Sequence, residues 1–393
     1  MSDVVIVGAK RTAIGSFLGQ FTGTPTPVLG AAAITGALEQ AGVAADQVDE
    51  VIMGCVLPAG LGQAPARQAA IGAGLPTSAG CTTINKVCGS GMKAVMLGHD
   101  LIKAGSATVV VAGGMESMTN APHLLNGSRT GVRYGSAEFL DHMAYDGLTN
   151  PYDGKAMGVF GDATCAEYKL DREKVDAYST ESADRARKAQ EDGVFKDEIV
   201  PVTVKTRKGE VVIDSDEEPG KIDTARIPTL RAAFGKEGVL TAASSSKISD
   251  GAAATVLMSA EEAGKRGLTP IARIVAHAGH AQAPEWFTTA PVKAIASVLD
   301  KAGWKVEDVD VFEVNEAFAC VAMAPMHDLG IPHDRLNVHG GALALGHPIG
   351  ASGARLIVTL LNALQKRGGK RGVASLCIGG GEATAIAVEL HDA

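Results

Sequence analysis

Apolar positions follow two alternating rhythms along this chain. Short unbroken runs such as "VVIV" at 4–7, "TVVVAGG" at 108–114 and "GVASLCIGGG" at 372–381 read as strands covered on both faces, where no polar face is needed. Between them lie stretches with apolar residues three and four apart, the spacing of a helix with one buried stripe. One such unit occurs twice. "AAAITGALEQAGVAADQVDEVIMGCV" (31–56) resembles "VKAIASVLDKAGWKVEDVDVFEVNEA" (292–317), so that Ala33 falls on Ala294, Leu38 on Leu299, Gly42 on Gly303 and Asp49 on Asp310. Each predicts a helix, a glycine stop, a polar turn and a buried strand. Downstream, "CGSGMKAVMLGHDLIKAGSATVVVAGG" (88–114) parallels "IGASGARLIVTLLNALQKRGGKRGVASLCIGGG" (349–381). A repeat this long is a duplicated α/β domain rather than a solenoid.

The stretch from about 118 to 245 breaks the pattern. It carries the densest charge, "LDREKVDAYSTESADRARKAQEDGVFKDE", which predicts an exposed helix, and several Gly/Pro loops. "DGAAATVLMS" at 250–259 then predicts a strand returning to the first half. The expected organisation is an N-terminal half (1–117 plus 246–268), an inserted loop domain (118–245) that covers a site between the halves, and a C-terminal half (269–393).

With 393 residues, 46% of them hydrophobic, the chain can bury a large core. Its net charge of −8 provides no overall basic field for nucleic acid or an anionic membrane. No apolar run approaches the roughly 20 residues of a membrane helix, and the first residues lack the pattern of a secretory signal. The six cysteines, Cys55, Cys81, Cys88, Cys165, Cys320 and Cys377, are scattered singly, without a C-x-x-C pair or a histidine at zinc-finger spacing. Free thiols in a reducing, cytoplasmic compartment are expected, with no structural metal site and no nucleic-acid or membrane partner.

Four segments carry residues suited to chemistry. In "NKVCGSGMKA" (85–94), Cys88 precedes a predicted helix start, where the helix dipole and free N–H groups lower a thiol pKa. Gly89 and Gly91 there let a ligand approach the backbone. A small buried core residue is the competing reading of Cys88. His347, in "GGALALGHPIGASGAR" (340–355), occupies the matching helix start of the second half, and a near-neutral imidazole suits a base toward a thiol; a capping or packed histidine is the alternative. Cys377 ends a buried strand before three glycines, a turn that serves as an oxyanion hole, a phosphate cradle or simply a tight exit. Asn315, in "VNEAFA" (314–319), is a fixed donor or a structural strand-end residue.

Taken together, "VVIVGAKRTAIGSF", "NKVCGSGMKA", "AGGMESM" (112–118), "NEAFA" (315–319), "GGALALGHPIGASGAR" and "CIGGG" (377–381) resemble, in order and across the whole chain, the thiolase family. The resemblance implies an α/β thiolase fold: two duplicated βαβαβαββ halves in a layered α/β/α/β/α core with an inserted loop domain, assembled as a homodimer or a dimer of dimers. It implies that Cys88 is the nucleophile that takes the acyl group, that His347 deprotonates it and that Cys377 is the second acid/base. Asn315 would hold a water that, with His347, stabilises an enolate oxygen, and the N–H groups of Cys88 and Gly379 would form the oxyanion hole. The implied reaction is ping-pong acyl transfer, two acetyl-CoA in equilibrium with acetoacetyl-CoA plus CoA, or thiolysis of a 3-ketoacyl-CoA. Coenzyme A thioesters are then substrates, with no resident cofactor and no metal. Similarity also points to Leu148, Met157, Phe234, Ser246, Ala317 and Phe318 as lining the pantetheine and acyl channel, with core packing the alternative for Met157, Phe234 and Phe318.

Some positions depart from the family's usual residues: Ala243, Ser244 and Lys247 in the loop "TAASSSKISDGAAA" (241–254), Ala156 before Met157, Phe287 beside the expected acyl group, and Glu382. Arg226 and Arg231 are the candidates for the CoA 3′-phosphate. Broader chain-length thiolysis, a decarboxylating ketoacyl synthase, a non-catalytic CoA or lipid carrier, and a redox sensor pairing Cys88 with Cys377 are the competing functions. "CIGGG" with a single "GHPIGASG" histidine favours a thiolase over a synthase, and the presence of Cys88, Asn315, His347 and Cys377 together argues against a carrier.

Overall fold

The computed structural model describes residues 2–391 apart from Lys208. The first half runs β1 (Val4–Thr12), α1 (Thr26–Ala41), β2 (Glu50–Gly54), α2 (Pro65–Gly72), β3 (Gly80–Ile84), α3 (Ser90–Ala104) and β4 (Val109–Ser117). The chain then makes an excursion that includes α4 (Met157–Glu167) and α5 (Arg172–Glu191), and returns as β5 (Ser249–Ser259). The second half is β6 (Ala272–Ala281), α6 (Ala290–Ala302), β7 (Val311–Val314), α7 (Ala319–Leu329), α8 (Ile349–Arg367), β8 (Arg371–Ile378) and β9 (Glu382–Leu390).

The strands form one mixed sheet in the order β7-β8-β9-β6-β1-β5-β4-β2-β3. Its centre is a short antiparallel contact, Val5 opposite Arg273 and Ile6 opposite Ala272. Outward from there the two halves repeat the same succession, with β4 antiparallel to β5 and parallel to β2, and β8 antiparallel to β9 and parallel to β7. The repeat extends to single atoms. α1 and α6 both stop at a glycine in the left-handed region, Gly42 at φ 66° and Gly303 at φ 68°, where a Cβ is penalised. The Asp49 carboxylate then accepts the N–H groups of Thr108 and Val109, and Asp310 those of Lys370 and Arg371.

Three apolar cores separate the layers. α1 packs on one face of the first half and α6 on one face of the second, while α3 and α8 lie together between the two. α8 is buried from Ile349 through Leu364, as its nearly uninterrupted apolar sequence requires of a helix with no solvent face. The two central helices touch through small residues. A Cβ on Gly91 would stand 2.8 Å from the Ala354 nitrogen, and one on Gly353 only 2.4 Å from that of Met92.

The excursion is anchored by buried charge. Arg11 of β1 meets Glu198 at 2.6 Å and Asp216 through two bonds of 2.7 and 2.8 Å, and α8 joins through Thr359 and Asn362, both donating to Glu198. α5 is not the exposed helix its charge density predicts. Val175, Tyr178, Ser182 and Ala186 turn inward, leaving most of the charged residues, though not the buried Asp176, on the opposite face. Among the described residues no helix is long and apolar enough to cross a membrane.

Gly353→Ala is expected to cost roughly 1–3 kcal/mol, because the new methyl meets backbone that cannot rotate away. Gly264→Ala, on an exposed helical turn with open space around it, should stabilise by up to about 1 kcal/mol. Thermal denaturation of the two variants should shift in opposite directions, and equal shifts would refute the tight central seam.

Candidate active site

Cys88 lies outside α3, one residue before the helix-capping Gly89. The turn that presents it is tied on both sides. Asn85 Oδ1 accepts the Val87 N–H at 2.8 Å, while Ser90 Oγ accepts the Lys86 N–H at 2.8 Å and donates to the Val87 carbonyl at 2.6 Å. Val87 is held at φ 45°, a conformation costing a β-branched residue roughly 1–3 kcal/mol. The sulfur receives its own N–H and that of Gly379. The expected lowering of the thiol pKa does not occur: burial outweighs both amides and, with the nearby Glu116 charge, pushes Cys88 up to about 11. Nor do the glycines open the backbone to a ligand. Gly89 faces the Ile378 side chain, 2.3 Å from where its Cβ would be, and Gly91 faces α8.

His347 stands two residues before the first residue of α8. Ser352 Oγ donates to the Pro348 carbonyl at 2.9 Å and lies 2.6 Å from His347 Nδ1. With its single proton directed to the Pro348 carbonyl, the hydroxyl accepts from Nδ1–H, the assignment that leaves Nε2 as the accepting nitrogen. Burial, with Arg355 adding to it, pushes the imidazole down to about 3, well below the near-neutral value expected of it. The ring is neutral at physiological pH. Asn315 Nδ2 is 3.4 Å from both ring nitrogens, and the His347 main-chain N–H is held by the Lys247 carbonyl at 3.0 Å.

Cys377, buried on β8, has its thiol raised well above the usual range by burial and then by proximity to Cys88. All six cysteines are free. Leu148, Met157, Phe234, Ser246 and Phe318 line one cavity of about 270 Å³ together with His347. Cys88, Leu148 and Ile248 pack on a small apolar cluster that includes Met118 and Ile349, and all four of these neighbours are also cavity walls. Phe234 and Phe318 meet edge to face at 5.7 Å, in room that Gly158 provides: a Cβ there would lie 2.2 Å from the Phe234 ring. Ala317 does not line this cavity. It sits behind the wall, where its carbonyl accepts the Ser246 N–H at 3.0 Å.

Of the departing residues, Ala156 and Lys247 line the cavity, but the Lys247 ammonium turns back to the carbonyls of Ala242 (2.6 Å) and Ser245 (3.3 Å). Ser244 caps the same loop by accepting the Thr241 N–H. Phe287 is not beside the cavity. It packs edge to face on Phe160 in the second-half core. Glu382 pairs with Lys86 and lines an adjoining cavity of about 630 Å³ that shares Met157 and reaches Gly379. Arg226 and Arg231 are exposed on the chain leading to Phe234.

Three buried carboxylates that hold the site together were not singled out in the sequence, although Glu116 lies within "AGGMESM" and Glu316 within "NEAFA". Glu116 accepts the N–H groups of Val56, Leu57 and Gly350, joining a first-half loop to the start of α8, and burial raises it to about 7. Glu316 accepts from Tyr178, Ser182, Asn337 and the Leu343 N–H. Glu313 faces Arg355 at 3.7 Å, both fully buried beside Asn315. The signal available was a carboxylate inside an apolar strand end, as in "VVVAGGMES" and "VFEVNEAF".

Two family models match nearly all of the chain: the thiolase N-terminal domain over residues 4–261 and the thiolase C-terminal domain over 268–390. Curated relatives named acetyl-CoA acetyltransferase are similar end to end. One from Chromobacterium violaceum is 50% identical over 98% of this chain and 99% of its own. Another from Pseudomonas aeruginosa is 50% identical over the same shares, and acetyl-CoA acetyltransferase 1 of Arabidopsis thaliana is 50% identical over 98% of this chain and 94% of its own. With its duplicated halves and this pair of matches, the chain belongs to the thiolase family.

Proposed function

We propose that the chain is an acetyl-CoA acetyltransferase, interconverting two acetyl-CoA with acetoacetyl-CoA and CoA through an acyl group on Cys88. The observation that supports this reading is that the Cys88 sulfur receives the amides of Cys88 and Gly379 and lies close to the Cys377 thiol, while the cluster Cys88 packs on includes Met118 and Ile349, two walls of the apolar cavity that the neutral His347 lines. The names of the end-to-end relatives support it.

Acyl transfer starts from neutral groups. As the sulfur attacks the thioester carbonyl, His347 Nε2 takes the Cys88 proton and the two amides receive the oxyanion. Cys377 gives its proton to the departing CoA sulfur and becomes a thiolate facing an imidazolium. When a second acetyl-CoA enters, this thiolate removes an α-proton. The burial that makes Cys377 a poor acid makes it the strong base that a weakly acidic C–H demands. The enolate, stabilised by protonated His347 and a water on Asn315, attacks the acyl carbon, and the expelled Cys88 sulfur recovers its proton from His347. All three groups return to their initial states. Coenzyme A thioesters are substrates throughout, and no resident cofactor is called for.

We place the enzyme in the cytoplasm, where six free thiols persist, as a homodimer or dimer of dimers. The exposed Val132, Tyr134 and Phe139 support assembly through the 118–141 segment.

Cys88→Ser should abolish acyl-enzyme formation from acetyl-CoA, read by mass spectrometry. Cys377→Ala should still acylate, with His347 passing the Cys88 proton on to the departing CoA sulfur, yet lose roughly 10²–10⁴-fold in condensation; full condensation by either variant would refute the roles. The pH dependence follows from the signs. His347, lowered to about 3, and Cys88, raised to about 11, keep one protonation state between those values, so the acylation rate should stay flat from roughly pH 5 to 9. A steep rise near neutrality would contradict a neutral thiol–imidazole pair. Thiolysis of 3-ketoacyl-CoAs of graded length should favour acetoacetyl-CoA, and a preference for chains of about six carbons or more would overturn the acetyl assignment in favour of broader chain-length thiolysis.

A further inference from the structure

Far from the cavity in sequence and chemistry, α3 and β6 bring two imidazoles and a carboxylate together. His99 and Asp100 are neighbours on α3, and His277 lies midway along β6. His277 Nε2 is 2.9 Å from Asp100 Oδ1 and 3.3 Å from His99 Nδ1, and His99 Nδ1 is 3.0 Å from the same carboxylate oxygen. The rings stand edge to face, 85° apart with centroids at 4.9 Å. Both are largely covered, at 14% and 19% exposure, while Asp100 is open at 52%.

The triangle has the dimensions of a metal site. Three vertices of a tetrahedron with metal–nitrogen and metal–oxygen bonds of about 2.0–2.2 Å are about 3.3–3.6 Å apart. The observed edges of 2.9–3.3 Å reach that by an outward shift of a few tenths of an ångström, about what replacing a shared proton with a larger cation requires. We propose that His99, Asp100 and His277 bind a divalent cation of the zinc class, with the fourth vertex open to water on the Asp100 side. Two imidazoles argue against magnesium and calcium, which take all-oxygen sets. The nearby Lys301 directs its ammonium to the His277 carbonyl oxygen at 3.1 Å, away from the ring nitrogens.

The position gives such an ion a consequence. α3 belongs to the first half and β6 to the second, so the ion cross-links the halves on the helix that starts just beyond Cys88. Motif spacing could not reveal it, because the two histidines lie 178 residues apart in the chain.

The test is binding of Co²⁺ and Zn²⁺ to the full-length, chelator-stripped protein, followed by equilibrium dialysis, the Co²⁺ visible spectrum and the melting temperature. Wild type should bind one ion per chain at this site, without a sulfur-to-cobalt band, and melt higher with metal. His277→Ala and His99→Ala should lose affinity by roughly 10–100-fold or more and lose the melting shift, while metal-free acyl transfer stays at the wild-type rate. Should either ring removal unfold the chain, Asp100→Asn keeps the side chain's shape and should weaken binding alone. Undiminished binding in the folded variants, a thiolate-type Co²⁺ spectrum with no second ion, or no binding by wild type would each overturn the proposal.

Discussion

Two helices can approach backbone to backbone only where neither carries a side chain, and the chemistry proposed for this protein depends on one such contact. α3 and α8 meet through Gly91 and Gly353, with Gly114 of β4 making room for the Gly350 carbonyl. Each helix belongs to a different half, and each begins just beyond one reactive group. Close packing here is a positional requirement on Cys88 and His347 before it is a contribution to stability. Ser90 and Ser352 reinforce it, each bonding the turn ahead of its own helix.

Burial then decides the protonation states. A thiol and an imidazole exposed to water would share a proton near neutrality, whereas here desolvation penalises both charged forms and keeps the pair neutral until substrate arrives. The surrounding carboxylates are equally buried, and their role is mechanical. Glu116 joins the Val56–Leu57 amides to Gly350, and Glu316 collects α5, Asn337 and Leu343 around one side chain. Removing one donor from such a hub leaves a buried carboxylate oxygen short of a partner, at a cost of roughly 1–3 kcal/mol.

Much of this was legible in the sequence because it rests on local rules. Glycine stops and polar turns recur at Gly42 and Gly303 and at Asp49 and Asp310, and that recurrence revealed the duplication. The candidate site residues stood out because Cys88, His347 and Cys377 each lie close to glycines at an element boundary. What stayed hidden depends on distant partners. Nothing beside Arg11 announces Glu198 or Asp216, nothing near His347 announces that Ser352 sets its tautomer, and a helix as charged as α5 does not show which of its faces turns inward. The dipole argument for Cys88 was sound as far as it went, but local sequence cannot show that the second half will bury the sulfur. For the same reason Gly89 and Gly91 suggested access for a ligand when their neighbours are Ile378 and α8.

The central position of α8 bears on how the protein is made. β4, β5 and α3 leave the ribosome long before α8, so the inner face of the first half must wait uncovered through most of synthesis. During that interval Cys88 is an ordinary cysteine, since neither the Gly379 amide nor the imidazole exists to act on it. A nascent or truncated chain therefore carries a sticky apolar surface but not the thiol environment that the proposed chemistry needs. The environment that the proposed chemistry requires arrives only when the last helix packs between the two halves.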